Sequence, residues 1–298
     1  GDASLEPGRG RGRKRRGTQK EAERVLTGHR KTIYICFPGG RHKALTLSYD
    51  DGRQEDRRLI TLLNRYGLKG TFHLNSGFAA GPDRIENRIP PEEWKSVYQG
   101  HEIACHTATH PTISRCPMEQ TALQILEDRR YLEGITGYPV RGLSYPNGSF
   151  TKEIAELLPA LGIAYSRVTE TTGGFGMPED FYRWKGTCHH SQNLIERARE
   201  FLDLHKKQYL YLMYVWGHSY EFTENDNWDM IEKFCRMAGG KEEIWYAANI
   251  EIADYMNCAK MVYFTVDGSR AENLSGRDIW LSVDGKIVKV KSGAAVSL

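Results

Sequence analysis

The stretch LTLSYDDGRQED, residues 45–56, decides the fold because it shows a strand that ends in two adjacent carboxylates. Apolar and small polar residues alternate over residues 45–49, which is the period of a β-strand, and Gly52 predicts the turn that follows. Asp50 and Asp51 therefore lie at a strand's carboxyl end, where their like charges oppose joint ionisation unless a cation or hydrogen bonds compensate them. A metal site would resolve this conflict. The alternative is an Asp-Asp-Gly turn in which one aspartate caps the next helix.

The composition indicates a folded protein with a basic N-terminal segment. The chain has 298 residues, of which 40% are hydrophobic, and this is enough for one large α/β domain or two smaller ones. Residues 1–30 hold nine Lys or Arg and four Asp or Glu, so the rest of the chain has a formal net charge of −2. Nothing in that balance indicates a nucleic-acid partner for the folded part.

Residues 1–30 are predicted to form a disordered basic tail or linker. The Gly/Arg-rich run EPGRGRGRKRRG has no apolar periodicity and cannot bury enough surface to fold alone. The tail could bind nucleic acid or an anionic surface, or it could be a linker or a propeptide remnant.

The sequence gives no sign of membrane insertion or export. No apolar run reaches the roughly 18 residues that a membrane-spanning helix needs, and no secretory segment is recognised. Six cysteines without a CxxC pair favour free thiols. The location stays open between the cytoplasm and a truncated form of a secreted protein, and nothing indicates the oligomeric state.

Strand-like and helix-like segments alternate along most of the chain. The predicted strands are residues 33–37, 45–49, 71–74, 102–105, 141–145, 163–167 and 209–215. The predicted helices are residues 55–66, 91–99, 117–136, 151–160 and 191–206. This alternation predicts an α/β fold with a parallel sheet and crossover helices, and this many units can close into a barrel.

The last part of the chain has a different pattern. The runs KMVYFTVDG, DIWLSVDG and KIVKVKSG are strand-like and are separated by Asp-Gly or Ser-Gly turns. We therefore expect residues 31–258 to form the barrel domain and residues 259–298 a small β appendage. The appendage could bind carbohydrate through Trp280 or only cover the edge of the barrel.

A histidine pair follows another predicted strand. In GHEIACHTATHP, His106 comes directly after residues 103–105 and His110 follows four residues later. Such a pair in a loop is often incidental, but the carboxyl ends of parallel strands meet at one edge of the sheet. Together with one carboxylate of the Asp pair, the two imidazoles form the three-ligand set of a catalytic divalent metal.

Two further strand ends contribute polar and aromatic residues. RGLSYPNGSF, residues 141–150, predicts a rigid turn with an exposed aromatic ring and available backbone N–H groups. YLYLMYVWGHSYEF ends an apolar strand in Trp216, Gly217 and His218. His218 could donate a proton at the same edge of the sheet, although a lone histidine after a strand is more often structural.

The motifs SYDDG, HTATH, SYPNG and WGHSYEF, in this order, resemble those of the polysaccharide deacetylase family, also called the NodB homology or carbohydrate esterase family 4 enzymes. The resemblance covers roughly residues 32–255. It implies a distorted (β/α)7-type barrel and metal-dependent hydrolysis of an acetamido group on a sugar.

The resemblance also implies roles for individual residues. The first motif gives a base, Asp50, and a metal ligand, Asp51, and the second gives the ligands His106 and His110. The late histidine, His218, would protonate the departing amine. Zinc is the default ion for such a donor set, and cobalt, nickel or iron could serve with the same ligands.

The match leaves some positions without a clear counterpart. Family members usually place an arginine where this chain has Ser144, so the residue that orients the base is sought in Arg141 or Arg183. Three residues are predicted to bind substrate, Tyr145, Pro146 and Trp216, although the rings of Tyr145 and Trp216 could instead only pack at the rim of the barrel. Glu221 is interpreted more safely as a solvated loop acid. The adjacent His189 and His190 could supply a second metal site or a substrate contact, although such pairs usually do neither.

Three hypotheses about function follow. The first is a metal-dependent hydrolase that removes N-acetyl groups from an amino-sugar-containing glycan or a small acetylated sugar. The second keeps the metal site but cleaves a non-sugar amide. The third is a catalytically inactive carbohydrate-binding protein on the same scaffold.

Overall fold

The computed structural model describes residues 30–78 and 85–298, and the predicted basic tail, residues 1–30, lies outside them except for Arg30. The strands, in chain order, are β1 (Ile33–Cys36), β2 (Lys43–Asp50), β3 (Gly70–Leu74), β4 (Glu102–Cys105), β5 (Gly142–Ser144), β6 (Tyr165–Thr171), β7 (Trp184–Gly186), β8 (Cys188–His189), β9 (Tyr211–Gly217), β10 (Ile244–Tyr246), β11 (Val262–Phe264), β12 (Arg270–Asn273), β13 (Ile279–Val283), β14 (Lys286–Val290) and β15 (Ala295–Ser297). The α-helices are α1 (Asp56–Tyr66), α2 (Pro91–Val97), α3 (Met118–Thr136), α4 (Lys152–Leu157), α5 (Leu194–Asp203), α6 (Tyr220–Glu224), α7 (Trp228–Ala238) and α8 (Asn249–Ala259).

The central sheet is parallel and closes on itself. Its strands follow the order β7-β6-β5-β4-β3-β2-β9-β8, and β10 pairs with the first residues of β2. Closure comes from residues 184–189, because β7 pairs with β6 while β8 pairs with β9. The Thr187 N–H between them donates to the Tyr214 carbonyl at 2.8 Å. With β7 and β8 counted as one position, seven strands complete the barrel, and the predicted α/β fold is confirmed.

The helices cover the outside of the barrel, as the apolar spacing predicts. In α1, Leu59, Leu62 and Leu63 are buried against the sheet. Gly67 ends this helix with φ 72°, a left-handed conformation that glycine adopts without strain. The strands β7, β8, β10, β12 and β15 and the helices α6, α7 and α8 were not predicted.

The interior of the barrel is polar, which the alternation in β2 explains. The residues on one side of β2 join the apolar core beneath the helices: Leu45, Leu47 and Tyr49. On the other side, Ser48 and Asp50 contact Arg167 of β6, a strand that is not a neighbour of β2. Both sides of this strand are therefore buried, and the polar side faces across the barrel.

The amino-terminal half of the interior is organised by Glu102. Its carboxylate accepts hydrogen bonds from the Thr71 hydroxyl at 2.9 Å, the Tyr165 hydroxyl at 2.8 Å and the Ile250 backbone N–H at 2.9 Å. These groups belong to β3, β6 and α8, so one side chain ties three elements together. Burial raises the pKa of Glu102 from its ordinary 4.5 to about 7, although the three hydrogen bonds oppose that shift.

The C-terminal strands form two antiparallel sheets. One has the order β1-β13-β14 and the other the order β11-β12-β15. The first sheet includes Ile33–Cys36, which the sequence places at the start of the barrel domain. The small β appendage is thus built from both ends of the described chain. Carbohydrate binding through Trp280 stays a prediction, and the Lys289 ammonium lies 5.1 Å from the centre of that ring.

Two expectations from the composition can be compared with the structure. All six cysteines are free, and four of them are buried. In the part of the chain that is described, no helix combines the length and the apolar character that crossing a membrane requires.

The raised pKa of Glu102 predicts how stability depends on pH. Because the folded pKa lies above the unfolded one, this group stabilises the fold below about pH 4.5, and that contribution is lost as the pH rises to about 7. The free energy of unfolding of the wild type should therefore fall relative to that of Glu102→Gln over this interval. The slope should approach about 1.4 kcal/mol per pH unit. Urea unfolding at a series of pH values measures it.

The matched control is Glu153→Gln, because Glu153 is exposed on α4. Its difference from wild type should not vary with pH over the same interval. The assignment of a protonated carboxyl group to the barrel interior would be contradicted if the stability of the wild type relative to Glu102→Gln did not change with pH. It would also be contradicted if that relative stability increased with pH.

Candidate metal centre and active site

The three predicted metal ligands meet at the carboxyl end of the sheet. Asp51 follows β2, and His106 and His110 follow β4. Asp51 Oδ1 lies 3.5 Å from His106 Nε2 and 3.8 Å from His110 Nε2. The three ligand atoms lie within 4.8 Å of one another. The parallel sheet therefore brings Asp51 close to two imidazoles that lie 55 and 59 positions later in the chain.

These distances are those of ligands around an ion rather than of hydrogen-bonded partners. A hydrogen bond between nitrogen and oxygen is about 2.7–3.2 Å long. Two ligands on a tetrahedral ion with bonds of about 2.0–2.1 Å lie about 3.3 Å apart. Asp51 Oδ1 is also buried without a hydrogen-bond partner. A divalent cation between the three groups would satisfy that oxygen.

The backbone at the site is strained. Asp51, Thr107 and His110 have φ angles of 81°, 66° and 57°, which place non-glycine residues in the left-handed region. Such conformations cost about 1–3 kcal/mol each and persist where the surroundings enforce them. Here Asn75 Nδ2 donates to the carbonyls of His106 at 2.7 Å and Thr107 at 2.9 Å. Arg88 donates to the Asp51 carbonyl.

His106 presents Nε2 to the site because its other nitrogen is engaged. His106 Nδ1 lies 2.8 Å from the Ser144 carbonyl oxygen. A carbonyl only accepts hydrogen bonds, so Nδ1 is the protonated nitrogen and Nε2 keeps its lone pair. Burial also lowers the pKa of His106 and favours the neutral ring, which is the form that binds metal ions.

The predicted base, Asp50, is held in a buried ion pair with Arg167. Arg167 Nη2 lies 2.5 Å from Asp50 Oδ2, and Nη1 lies 3.1 Å from Oδ1. The Ser144 hydroxyl also donates to Asp50 Oδ1 at 3.0 Å. Burial alone would raise the pKa of Asp50, but the Arg167 guanidinium holds it well below its usual range. Asp50 is therefore an oriented, ionised carboxylate.

Neither arginine that the sequence singled out contacts Asp50. Arg141 pairs with Asp254 at 2.9 Å. Arg183 lies 3.9 Å from Asp180, with its guanidinium 5.9 Å from the centre of the Phe150 ring. The orienting arginine is Arg167, which the sequence analysis missed. Its signal is a charged residue at the last position of the predicted strand 163–167, since a charge that is buried requires a partner.

The predicted acid, His218, reaches the same site from the end of β9. His218 Nε2 lies 3.7 Å from Asp51 Oδ2, and Nδ1 lies 2.5 Å from Glu221 Oε1. Burial alone would lower the pKa of His218, but the hydrogen bond to Glu221 and the charges of Asp50 and Asp51 raise it above its ordinary value. Glu221 thus holds the His218 ring so that Nε2 faces Asp51.

Glu221 is not a solvated loop acid, and that interpretation is wrong. Its side chain is 18% exposed, and Oε2 lies 2.8 Å from both His189 Nε2 and His190 Nε2. Burial would raise the pKa of Glu221, but its hydrogen bonds to His189, His190 and His218 hold it well below its ordinary value. The helical spacing between His218 and Glu221 is the signal that sequence analysis could have used.

Buried carboxyl groups fix the loops that present these side chains. Asp56 accepts a hydrogen bond from the Ser219 hydroxyl at 2.6 Å and one from the Tyr98 hydroxyl at 2.7 Å. Asp128 accepts the backbone N–H of His106 at 3.0 Å. Burial raises the pKa of both aspartates to about 7. The backbones beside His218 and His106 are therefore anchored independently of any ligand.

The aromatic residues predicted to bind substrate are buried. Tyr145 is 1% exposed, its hydroxyl donates to the Tyr182 carbonyl at 2.7 Å, and Pro146 beside it is also buried. Trp216 is 8% exposed and lies beneath the Arg167 guanidinium, 4.4 Å from the ring centre. The expectation of an exposed ring after β5 is therefore wrong, and substrate binding by these residues stays a prediction.

Comparison with known proteins gives a consistent set of similarities. Residues 30–166 match the family model described as polysaccharide deacetylase. The peptidoglycan-N-acetylglucosamine deacetylase PgdA of Listeria monocytogenes is 27% identical over 131 residues, which are 43% of this chain and 27% of that protein. The chitooligosaccharide deacetylase of Sinorhizobium fredii is 26% identical over 121 residues, which are 40% of this chain and 53% of that protein. The matched part thus spans about a quarter to a half of these relatives.

A solved structure shares the fold. The crystal structure of a putative polysaccharide deacetylase from Mycobacterium smegmatis aligns with a TM-score of 0.56 and 16% sequence identity. The alignment covers 76% of this chain and 94% of that one. It supports the barrel architecture.

The buried ion pair predicts a non-additive effect on stability. Arg167→Gln and Asp50→Asn each leave one buried charge without its partner, and each should lower the free energy of unfolding by about 3–5 kcal/mol. The double variant should lose less than the sum of the two, by about 1–3 kcal/mol. Urea unfolding with a chelator present measures all three variants without a contribution from bound metal.

Arg141→Gln is the control, because it breaks the more exposed pair with Asp254. It should cost at most about 1 kcal/mol. Additive effects at Asp50 and Arg167, or an equal loss in Arg141→Gln, would show that Arg167 does not support Asp50.

Proposed function

Because residues 30–166 of this chain belong to the polysaccharide deacetylase family, we propose that the protein hydrolyses N-acetyl groups of an amino-sugar-containing glycan or a small acetylated sugar. The observation that supports this most directly is the buried, unpartnered Asp51 Oδ1 between His106 Nε2 and His110 Nε2. An ionised base and a proton donor flank that group.

Asp51, His106 and His110 would hold a divalent ion. Their donors, one carboxylate oxygen and two neutral imidazole nitrogens, suit zinc, and cobalt, nickel or iron accept the same set. When bound, such an ion polarises a carbonyl group and lowers the pKa of water toward neutrality. Three protein ligands leave positions open for this chemistry.

Asp50 and His218 divide the proton transfers. Asp50, ionised beside Arg167, takes a proton from the attacking water as its oxygen bonds to the amide carbon. His218 gives a proton to the nitrogen as the carbon–nitrogen bond breaks, because an amide anion is a poor leaving group. The products are a free amine and acetate. Of the two adjacent aspartates, Asp50 thus accepts a proton and Asp51 would hold the metal ion.

The turn after β5 offers one backbone donor to the oxyanion. The Tyr145 N–H already donates to the Arg167 carbonyl at 3.1 Å, and Pro146 has no N–H. Among residues 145–147 of the turn that the sequence predicts within 141–150, this leaves the Asn147 N–H as the donor. Asn147 has φ 56°, so its peptide adopts an uncommon orientation at this point of the site.

The substrate class is inferred from the relatives. Proteins similar to this chain are named as deacetylases of peptidoglycan N-acetylglucosamine and of chitooligosaccharides. An acetylated glycan partner is therefore favoured over a non-sugar amide.

Metal content and acetate release, measured in the same samples, test the proposal. Wild type should bind about one equivalent of divalent metal and release acetate from N-acetylglucosamine oligomers. His106→Ala should lose both the metal and the activity. Asp50→Asn, assayed under conditions where it is folded, should keep the metal and lose about 10²–10⁴-fold in rate, because it removes the proton acceptor and none of the three proposed metal ligands.

Each alternative has its own result. Metal without acetate release, together with hydrolysis of unrelated amides, would favour an amidohydrolase on a non-sugar substrate. Glycan binding without metal after reconstitution would overturn the mechanism and favour a carbohydrate-binding protein. Equal activity in wild type and Asp50→Asn would remove Asp50 from its proposed role.

A further inference from the structure

A second cluster of metal-ligand residue types lies beside the candidate metal centre. The ligand atoms of His189, His190 and Glu221 are also within 4.8 Å of one another. Glu221 contacts His218 as well, so this cluster adjoins the proton donor of the proposed reaction. Its composition resembles that of the first group, with two imidazoles and one carboxylate.

The spacing distinguishes the two clusters. Glu221 Oε2 lies 2.8 Å from His189 Nε2 and 2.8 Å from His190 Nε2. These are hydrogen-bond distances. They are shorter than the about 3.3 Å expected between ligands of a tetrahedral ion, and shorter than the 3.5 and 3.8 Å around Asp51. The imidazoles of the second cluster therefore donate N–H groups to a carboxylate.

The other ring nitrogens are consistent with this assignment. The Ser191 backbone N–H donates to His189 Nδ1 at 3.1 Å, so the neutral ring has its proton on Nε2, toward Glu221. His190 Nδ1 lies 3.2 Å from the Tyr49 hydroxyl, which can donate to it. Glu221 thus accepts three imidazole N–H groups, the third from Nδ1 of His218 at 2.5 Å.

The histidine pair is held rigidly. His190 is buried and stacks on Tyr49, with ring centres 5.7 Å apart and planes inclined by 15°. His189 packs edge-on against Trp216 at 4.8 Å. At Gly217, an added Cβ would lie 2.3 Å from His190 Nδ1 and 3.2 Å from His189 Nε2. Only glycine at the end of β9 permits this approach.

We propose that His189 and His190 are positioning residues that fix the Glu221 carboxylate and, through it, the ring orientation and tautomer of His218. The N–H groups of His189 and His190 both donate to Oε2 and stop the carboxylate from rotating. Oε1 then accepts a hydrogen bond from the His218 Nδ1–H. Nε2 of His218 is left to face Asp51 at 3.7 Å. This inference rests on the proposed function, in which His218 Nε2 serves the leaving nitrogen.

The test compares a variant that removes the donor with one that keeps it. Leucine at position 189 or 190 fills space without an N–H, whereas the side-chain amide of glutamine can still donate to Glu221. His189→Leu and His190→Leu should lower kcat roughly 10- to 100-fold, with KM and metal content unchanged. His189→Gln and His190→Gln should recover most of the lost rate. His205→Leu is the control, because His205 lies outside the cluster.

Nitrogen-15 NMR of the histidine side chains supplies a readout that does not require activity. At a pH high enough to leave the ring neutral, His218 of the wild type should show a proton on Nδ1 and a lone pair on Nε2. In the leucine variants this single tautomer should become a mixture, and in the glutamine variants it should persist. If wild type releases no acetate, the proposed function fails, but this comparison still decides the positioning role.

Three results would overturn the inference. One is a second equivalent of metal in wild type that the leucine variants lose, because the cluster would then be a metal site. Another is equal loss of rate in the leucine and glutamine variants, since shape rather than hydrogen bonding would then matter. The third is an unchanged His218 tautomer in leucine variants that fold, with His189→Leu the decisive case if buried His190→Leu does not fold.

Discussion

The ion pair between Asp50 and Arg167 is the constraint on which the site depends. Removing two charges from water costs several kcal/mol for each ion, and the cost is offset only if both ions are fully hydrogen-bonded. Arg167 therefore engages both oxygens of Asp50 and also the Ser48 hydroxyl. Because β2 and β6 lie on opposite parts of the barrel, this requirement fixes the distance across its interior.

Ser144 extends that constraint to His106, one of the candidate metal ligands. Its hydroxyl donates to Asp50, and its carbonyl accepts from His106 Nδ1. The orientation of the base and the orientation of one ligand therefore depend on the same residue. The guanidinium that contacts Asp50 comes from Arg167 of β6 rather than from the segment that holds Ser144.

The residues that could be predicted from the sequence share one property. Asp50, Asp51, His106, His110 and His218 all lie at the end of an apolar strand or within five residues after it, and parallel strands bring their carboxyl ends to one edge. Local periodicity and one topological rule were sufficient to place them. Most predicted helices and strands overlap those of the structure for the same reason, since each is defined by its own apolar pattern.

What the sequence did not reveal depends on contacts between distant segments. Arg167 lies inside a strand, where periodicity says nothing about the partner of a buried charge. Residues 184–189 are too short and too polar to be recognised as the strand that closes the barrel. Glu221 resembles an ordinary loop acid until the His189–His190 segment is folded against it. In each case the decisive interaction joins residues that no local pattern connects.

The pairing of β1 with β13 has a consequence for how the chain reaches its native state. Ile33 pairs with Val283, so the first described strand finds its partner only when nearly all of the described chain is available. During synthesis from the N-terminus, the backbone groups of β1 stay unpaired while the barrel strands are synthesised and associate. An open strand edge invites pairing with other chains. The interval before β13 appears is therefore the period in which a nascent molecule is most exposed to aggregation.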